Sequence, residues 1–174
     1  MNSYDIFKKA NNIVESCSTR DPMRIASDLN IYVKTNDAFE DLLGAYFCCL
    51  NHRIIIINSR LYGYLLKMVM AHEIGHDQLH RALAKSGTKL QEFNLFMEKD
   101  LTEYEANAFA SHILLPNDDI YSLAKQGIDV ITMAKMVNVD YNLLLIKLNE
   151  MQKMDYKFNI PFDADPTFFK KIRT

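Results

Sequence analysis

Apolar side chains recur at intervals of three and four over the first seventeen residues, at Ile6, Phe7, Ala10, Ile13, Val14 and Cys17. That period predicts an amphipathic helix over residues 3–17. Asp21-Pro22 marks a second helix start, a capping side chain followed by a residue whose missing N–H costs nothing at the first helical position. Ile25, Ala26 and Leu29 continue it, and Ile31-Tyr32-Val33 reads as a first strand. The β-rich runs 45–50 (AYFCCL) and 53–58 (RIIIIN) flank Asn51-His52 and predict a hairpin. Ile54–Ile57 is apolar on both faces, which suits a central strand covered by helices.

A long helical pattern follows from about Leu61 to Arg81, and Lys85–Lys89 reads as a loop around Ser86-Gly87-Thr88. A second strong helix runs from about Thr102 to Leu115 and is ended by Pro116. Two or three shorter helices reach about Lys153, with breaks near Gly127 and Val139-Asp140, and Pro161 and Pro166 mark an irregular tail. The expected fold is α+β: a small mixed sheet packed against two principal helices, with a helical C-terminal region. The 174 residues form one expected domain, its core at about 20–120 and a helical subdomain at about 117–174.

Composition narrows the class without choosing a function. With 49% hydrophobic and 24% charged residues and only 5 Gly and 4 Pro, the chain is neither disordered nor low-complexity. A formal net charge of −2 gives no global basic field to draw it to nucleic acid or anionic lipid. Three cysteines, two of them adjacent at Cys48-Cys49, read as free thiols in a reducing compartment. No run is long enough for a membrane span, and the start MNSYDIFKKANN has no signal-peptide core, so a cytoplasmic location is expected.

The chemistry concentrates at His72-Glu73-Ile74-Gly75-His76, an H-E-x-x-H inside the long helix. Positions four apart differ by about 40° and stand one turn above each other, so two imidazoles can reach one metal ion with bonds of about 2.0–2.1 Å. Glu73, about 100° around from His72, sits at the edge of the metal-facing side, where a general base would meet the attacking water. A catalytic zinc site needs a third protein ligand, and the second helix offers Glu103 and Glu105. With Glu103 at zero, the apolar residues Ala106, Phe109, Ala110, Ile113 and Leu114 centre about 50° away, whereas Glu105 lies more than about 100° from that centre and points toward solvent. Glu103 is therefore the favoured ligand, with Glu105 the alternative and Asn107, one turn on, able to support a ligand.

Three further histidines compete. His80 makes a second i, i+4 pair with His76, but His72 and His80 are about 12 Å apart along the helix, so one ion cannot take all three. His80 reads as a supporting or packing residue. His112, nine residues after Glu103, falls on the opposite side of its helix and reads as solvent-facing; His52 falls in the hairpin turn.

The segments AHEIGHDQLHR and EYEANAFASHILLP together resemble the ImmA/IrrE family of metallopeptidases, as do the start at Asp21-Pro22 and the stretch Ile54–Asn58. The resemblance covers roughly residues 20–120. It implies that His72 and His76 are zinc ligands and Glu73 the catalytic base, and by analogy with other zincins it favours Glu103 as third ligand in a gluzincin-like set; the family often carries a second Glu at the place of Glu105. Short members belong to phages and integrative elements, and the resemblance implies cleavage of a cognate helix-turn-helix immunity repressor, which derepresses the mobile element. The 45–50 strand is the expected edge for an extended substrate. The sequence does not reveal an oxyanion donor; Tyr104 reads first as a surface or packing residue.

Two other readings stay open: a zinc-stabilised regulator that binds its partner without cutting it, and a DNA-binding regulator built on residues 128–153. The second helix of that segment offers only Lys147 as a base, against Glu150, and its Leu143, Leu144, Leu145, Ile146 and Leu148 fit a buried helix better than a DNA-reading one.

Overall fold

The computed structural model describes residues 1–50, 52–85 and 96–158, with backbone alone at 85 and 96–100. Helix α1 (Ser3–Cys17) opens on Asn2, whose side chain accepts from the Asp5 N–H, and closes on Ser18 in a left-handed conformation; it buries Ile6, Ala10 and Ile13. Helix α2 (Pro22–Asp28) is capped by Asp21 with Pro22 in the first turn, as its sequence predicts.

Strands β1 (Tyr32–Asn36), β2 (Gly44–Cys49) and β3 (His52–Asn58) form a mixed sheet in the order β1-β3-β2. β3 is central, parallel to β1 and antiparallel to β2, with Tyr46 opposite Ile55 and Cys49 opposite His52. His52 therefore opens a strand and does not sit in the turn. Ile55 and Ile57 are buried, while Ile54 and Ile56 are half-buried, so helices cover one face of the sheet and not both. Asn58 is buried and ties down the chain before β2, its side chain donating to the carbonyls of Phe39 and Leu42.

The long helical pattern divides into α3 (Gly63–Leu79) and α4 (Arg81–Lys85), with the break at His80. Gly63 enters α3 at φ +60, a left-handed position that favours glycine. Helix α5 (Phe96–Leu114) begins earlier than its sequence suggests. Its last carbonyls, those of His112 and Ile113, accept from the Arg20 guanidinium at 2.9 and 2.8 Å, which satisfies groups a helix end leaves open. Helices α6 (Asn117–Lys125), α7 (Val130–Met136) and α8 (Tyr141–Lys153) follow, the last two capped by Asp129 and Asp140. The breaks near Gly127 and Val139-Asp140 stand as expected; the loop assigned to Lys85–Lys89 and the tail around Pro161 and Pro166 lie almost wholly outside the described residues. No described helix is long and apolar enough to cross a membrane.

Two apolar clusters result. The larger joins α1, α2, the sheet, α3 and α5; the smaller joins α6, α7 and α8 around Ile120, Met133, Leu144 and Leu148. Helix α8 is buried from Leu143 through Leu148 and again at Glu150 and Met151, leaving no broad polar face to enter a DNA groove.

His112 corrects an expectation. It is buried, packing its ring edge against Phe7 of α1 and meeting the Lys147 ammonium at 2.9 Å through Nδ1. A helical wheel assumes one buried side, but α1, α3 and α8 all pack on α5. Lys147, 1% exposed, also donates to Asn117 Oδ1. Burial and the Arg20 charge pull its pKa down to about 7, against a smaller pull upward from Glu150.

This depressed lysine predicts a pH-dependent stability. Above pH 7 the folded chain releases the Lys147 proton, whereas the unfolded chain holds it up to the ordinary value of 10.5. Between those values unfolding takes up a proton, so stability rises with pH, by at most about 1.4 kcal/mol per unit. Denaturant unfolding from pH 7 to 9.5 should show wild type gaining on Lys147→Met as pH rises. A pH-independent difference would contradict the assignment.

Candidate metal centre

The site is built where α3 and α5 touch. Gly75 eases the contact: a Cβ there would lie 3.0 Å from the Ala106 carbonyl oxygen and 3.1 Å from its Cα, so any side chain would require the α5 backbone to give by a few tenths of an ångström. The approach brings Glu103, one turn before Ala106, beside His72 and His76, and Asn107 beside His72.

Nε2 of His72 and Nε2 of His76 are 3.0 Å apart. One Glu103 oxygen lies 3.4 Å from the first and the other 3.5 Å from the second. Four ligands held tetrahedrally at 2.0–2.1 Å from zinc are separated by about 3.3–3.4 Å, and the imidazole pair and the approach of one carboxylate oxygen to each ring come within a few tenths of an ångström of that spacing. Among the described residues His72, His76 and Glu103 are the group whose ligand atoms converge in this way, all within 4.8 Å of one another. Nδ1 of His72 meets Asn107 Oδ1 at 2.8 Å, which turns its Nε2 toward the centre.

Glu73 is buried beside this group, under the start of β2. A Cβ on Gly44 would come within 2.9 Å of Glu73 Oε1 and 2.8 Å of Val69 Cγ1, so glycine keeps the strand close to the carboxylate. Burial raises the Glu73 carboxyl to about 7, with His72 opposing and the Glu103 charge adding to the rise. Burial lowers His76 to about 3, helped by the neighbouring His72. His72 feels the same burial, but its hydrogen bond to Glu103 and the charges of Glu103 and Glu73 outweigh it and leave it above the ordinary value. These are properties of the side chains alone; a bound cation would favour neutral imidazoles and an ionised carboxylate.

Burial does not separate the two glutamates in the way a helical wheel suggests. Glu105 does not point to solvent: it is 6% exposed, hydrogen-bonded to Nε2 of His80 at 2.9 Å, and in contact with the Met1 amino group. Glu103 is the more exposed of the two. Position along the helix separates them, Glu103 reaching His72 and His76 and Glu105 reaching His80. His80 itself is buried, with its ring against the far side of His76. Tyr104 turns away and donates to Glu150 at 2.6 Å.

Sequence reading missed Asp77, which is fully buried. Its carboxylate accepts from Tyr46 of β2 at 2.8 Å, Arg53 of β3 at 3.1 Å and Arg81 of α4 at 2.9 Å. One charge directly after His76 thus pins the edge strand to the histidine helix. An acid next to HExxH in a helix otherwise free of acids from residue 63 to 72 was the available signal.

Residues 26–149 match the model of the Peptidase_M78 family, described as an IrrE N-terminal-like domain. The chain is also 31% identical over 115 residues to the "Uncharacterized immunity region protein 2" of Bacillus phage phi105, covering 66% of this chain and 71% of the phage protein.

The Gly75 contact predicts that Gly75→Ala destabilises the fold although alanine is the better helix former by about 1 kcal/mol. Overpacking against backbone costs about 1–3 kcal/mol, so the midpoint of thermal unfolding should fall by up to several degrees. An unchanged or higher midpoint would show that α5 can withdraw freely.

Proposed function

This chain belongs to the Peptidase_M78 family of metallopeptidases, and from that premise we propose that it is a zinc-dependent endopeptidase with His72, His76 and Glu103 as ligands and Glu73 as catalytic base. The observation that carries the reading is the convergence of two Nε2 atoms and one carboxylate beside a second, buried carboxylate. Zinc bound there would supply Lewis acidity toward a water and a peptide carbonyl. Glu73 takes the proton of the attacking water and returns it to the leaving amine, a task suited to a buried carboxylate beside the ligands. Asn107 holds His72 in its ligating tautomer. Strand β2, at the edge of the sheet and starting against Glu73, is the strand an extended substrate joins.

The substrate in this reading is a helix-turn-helix immunity repressor, and its cleavage derepresses a phage or related mobile element. The immunity-region name of the phi105 relative supports that assignment. The free thiols Cys17, Cys48 and Cys49 suit action in the cytoplasm. The described residues act as a single unit, with α6–α8 as its helical annex.

Metal analysis tests the ligands. His72→Ala and His76→Ala should bind no stoichiometric zinc, and Glu103→Gln should weaken zinc far more than Glu105→Gln does. The reverse order for the glutamates would reassign the third ligand.

Glu73→Gln tests the chemistry. The variant should keep its fold, zinc and partner binding but lose about 10²–10⁴-fold in cleavage of a repressor from the same immunity region. Full derepression in cells with an intact repressor band would replace the peptidase by a regulator that acts through binding.

A further inference from the structure

His80 reaches the candidate centre from behind. Its Nδ1 lies 3.1 Å from Nδ1 of His76, the ring nitrogen turned away from the convergent Nε2 atoms. Its Nε2 lies 2.9 Å from Oε2 of Glu105. All three side chains are buried, so each contact needs a matched donor and acceptor.

One arrangement of protons satisfies both contacts while leaving His76 Nε2 a lone pair for a cation. His76 carries its proton on Nδ1 and donates it to Nδ1 of His80. The His80 proton then sits on Nε2 and is donated to the Glu105 carboxylate. The opposite His80 tautomer would set two N–H groups against each other at one end and a bare nitrogen against a carboxylate at the other. The break between α3 and α4 falls at His80, which takes its backbone off the helix while its N–H still bonds the His76 carbonyl at 2.9 Å.

We propose that His80 and Glu105 are positioning residues, a carboxylate–imidazole relay that fixes the tautomer and ring plane of His76 and so tightens zinc binding. The inference rests on the ligand set proposed above. The two ligating histidines are thereby held differently, His72 by a neutral amide oxygen and His76 by a chain that ends in a carboxylate. Such supporting partners typically change metal affinity by about 10–100-fold.

The test uses zinc affinity by chelator competition, together with long-range ¹⁵N–¹H spectra of the zinc-loaded protein. The wild-type spectrum should show His80 protonated on Nε2 and bare on Nδ1. His80→Leu and Glu105→Gln should each weaken zinc by about 10–100-fold. His80→Gln should recover most of the loss, because its amide carries an acceptor oxygen and a donor nitrogen on one planar group. The opposite His80 tautomer in the wild type, or a His80→Leu affinity within about threefold of wild type, overturns the relay but leaves the ligand set standing. A wild-type chain that takes up no zinc overturns the ligand set, and the relay with it. Should the variants not fold, the wild-type spectrum still decides.

Discussion

Everything at the candidate centre depends on how closely α5 approaches α3, and at their tightest point the missing side chain of Gly75 leaves room for the Ala106 backbone. The Ala106 carbonyl and Cα occupy the space a side chain would fill. With α5 held there, three of its side chains reach the histidines: Asn107 meets His72, Glu103 meets His72 and His76, and Glu105 meets His80 just past the end of α3. The close approach sets carboxylate and amide groups of α5 directly against the imidazoles, which is what a rigid donor set needs.

The remaining buried charges serve the same placement. Asp77 holds Tyr46 and Arg53, and therefore β2 and β3, to the helix that carries the histidines. Gly44 then keeps the start of β2 against Glu73. On the other side of α5, Arg20 satisfies its final carbonyls, and Lys147 with His112 and Asn117 joins it to α8 and α6. Burying Lys147 and Asp77 is costly unless every polar atom finds a partner. Each found one from a different element, so these charges fix the relative positions of elements that apolar contact alone would let slide.

Much of this was legible in the sequence because it is local. The cap at Asp21 acts within a few residues, the hairpin follows from two β-rich runs, and the i, i+4 spacing of His72 and His76 is a property of one helix. What sequence could not give was the number of neighbours around a helix. A wheel for α5 with one buried side sent Glu105 and His112 to solvent, yet with α1, α3 and α8 packed on α5 every residue from Glu105 to Ile113 is buried. The same limit gave the sheet two covered faces where the structure covers one. The preference for Glu103 came from a burial argument whose premise failed; its geometry toward His72 and His76 depends on register between two helices, which neither helix carries alone. Asp77 was overlooked because a carboxylate in a helix usually faces water, and Tyr46, Arg53 and Arg81, which hold it, lie on other elements.

The central claim is that two imidazoles and one carboxylate from α3 and α5 hold one zinc ion with a position left open for water. X-ray absorption at the zinc edge of the loaded protein reads that shell directly. The account predicts four nitrogen and oxygen neighbours at about 2.0–2.1 Å, with the outer-ring signature of two imidazoles. A sulfur neighbour at about 2.3 Å, which would move the metal to the cysteines, or an imidazole-free shell of oxygens, would contradict it.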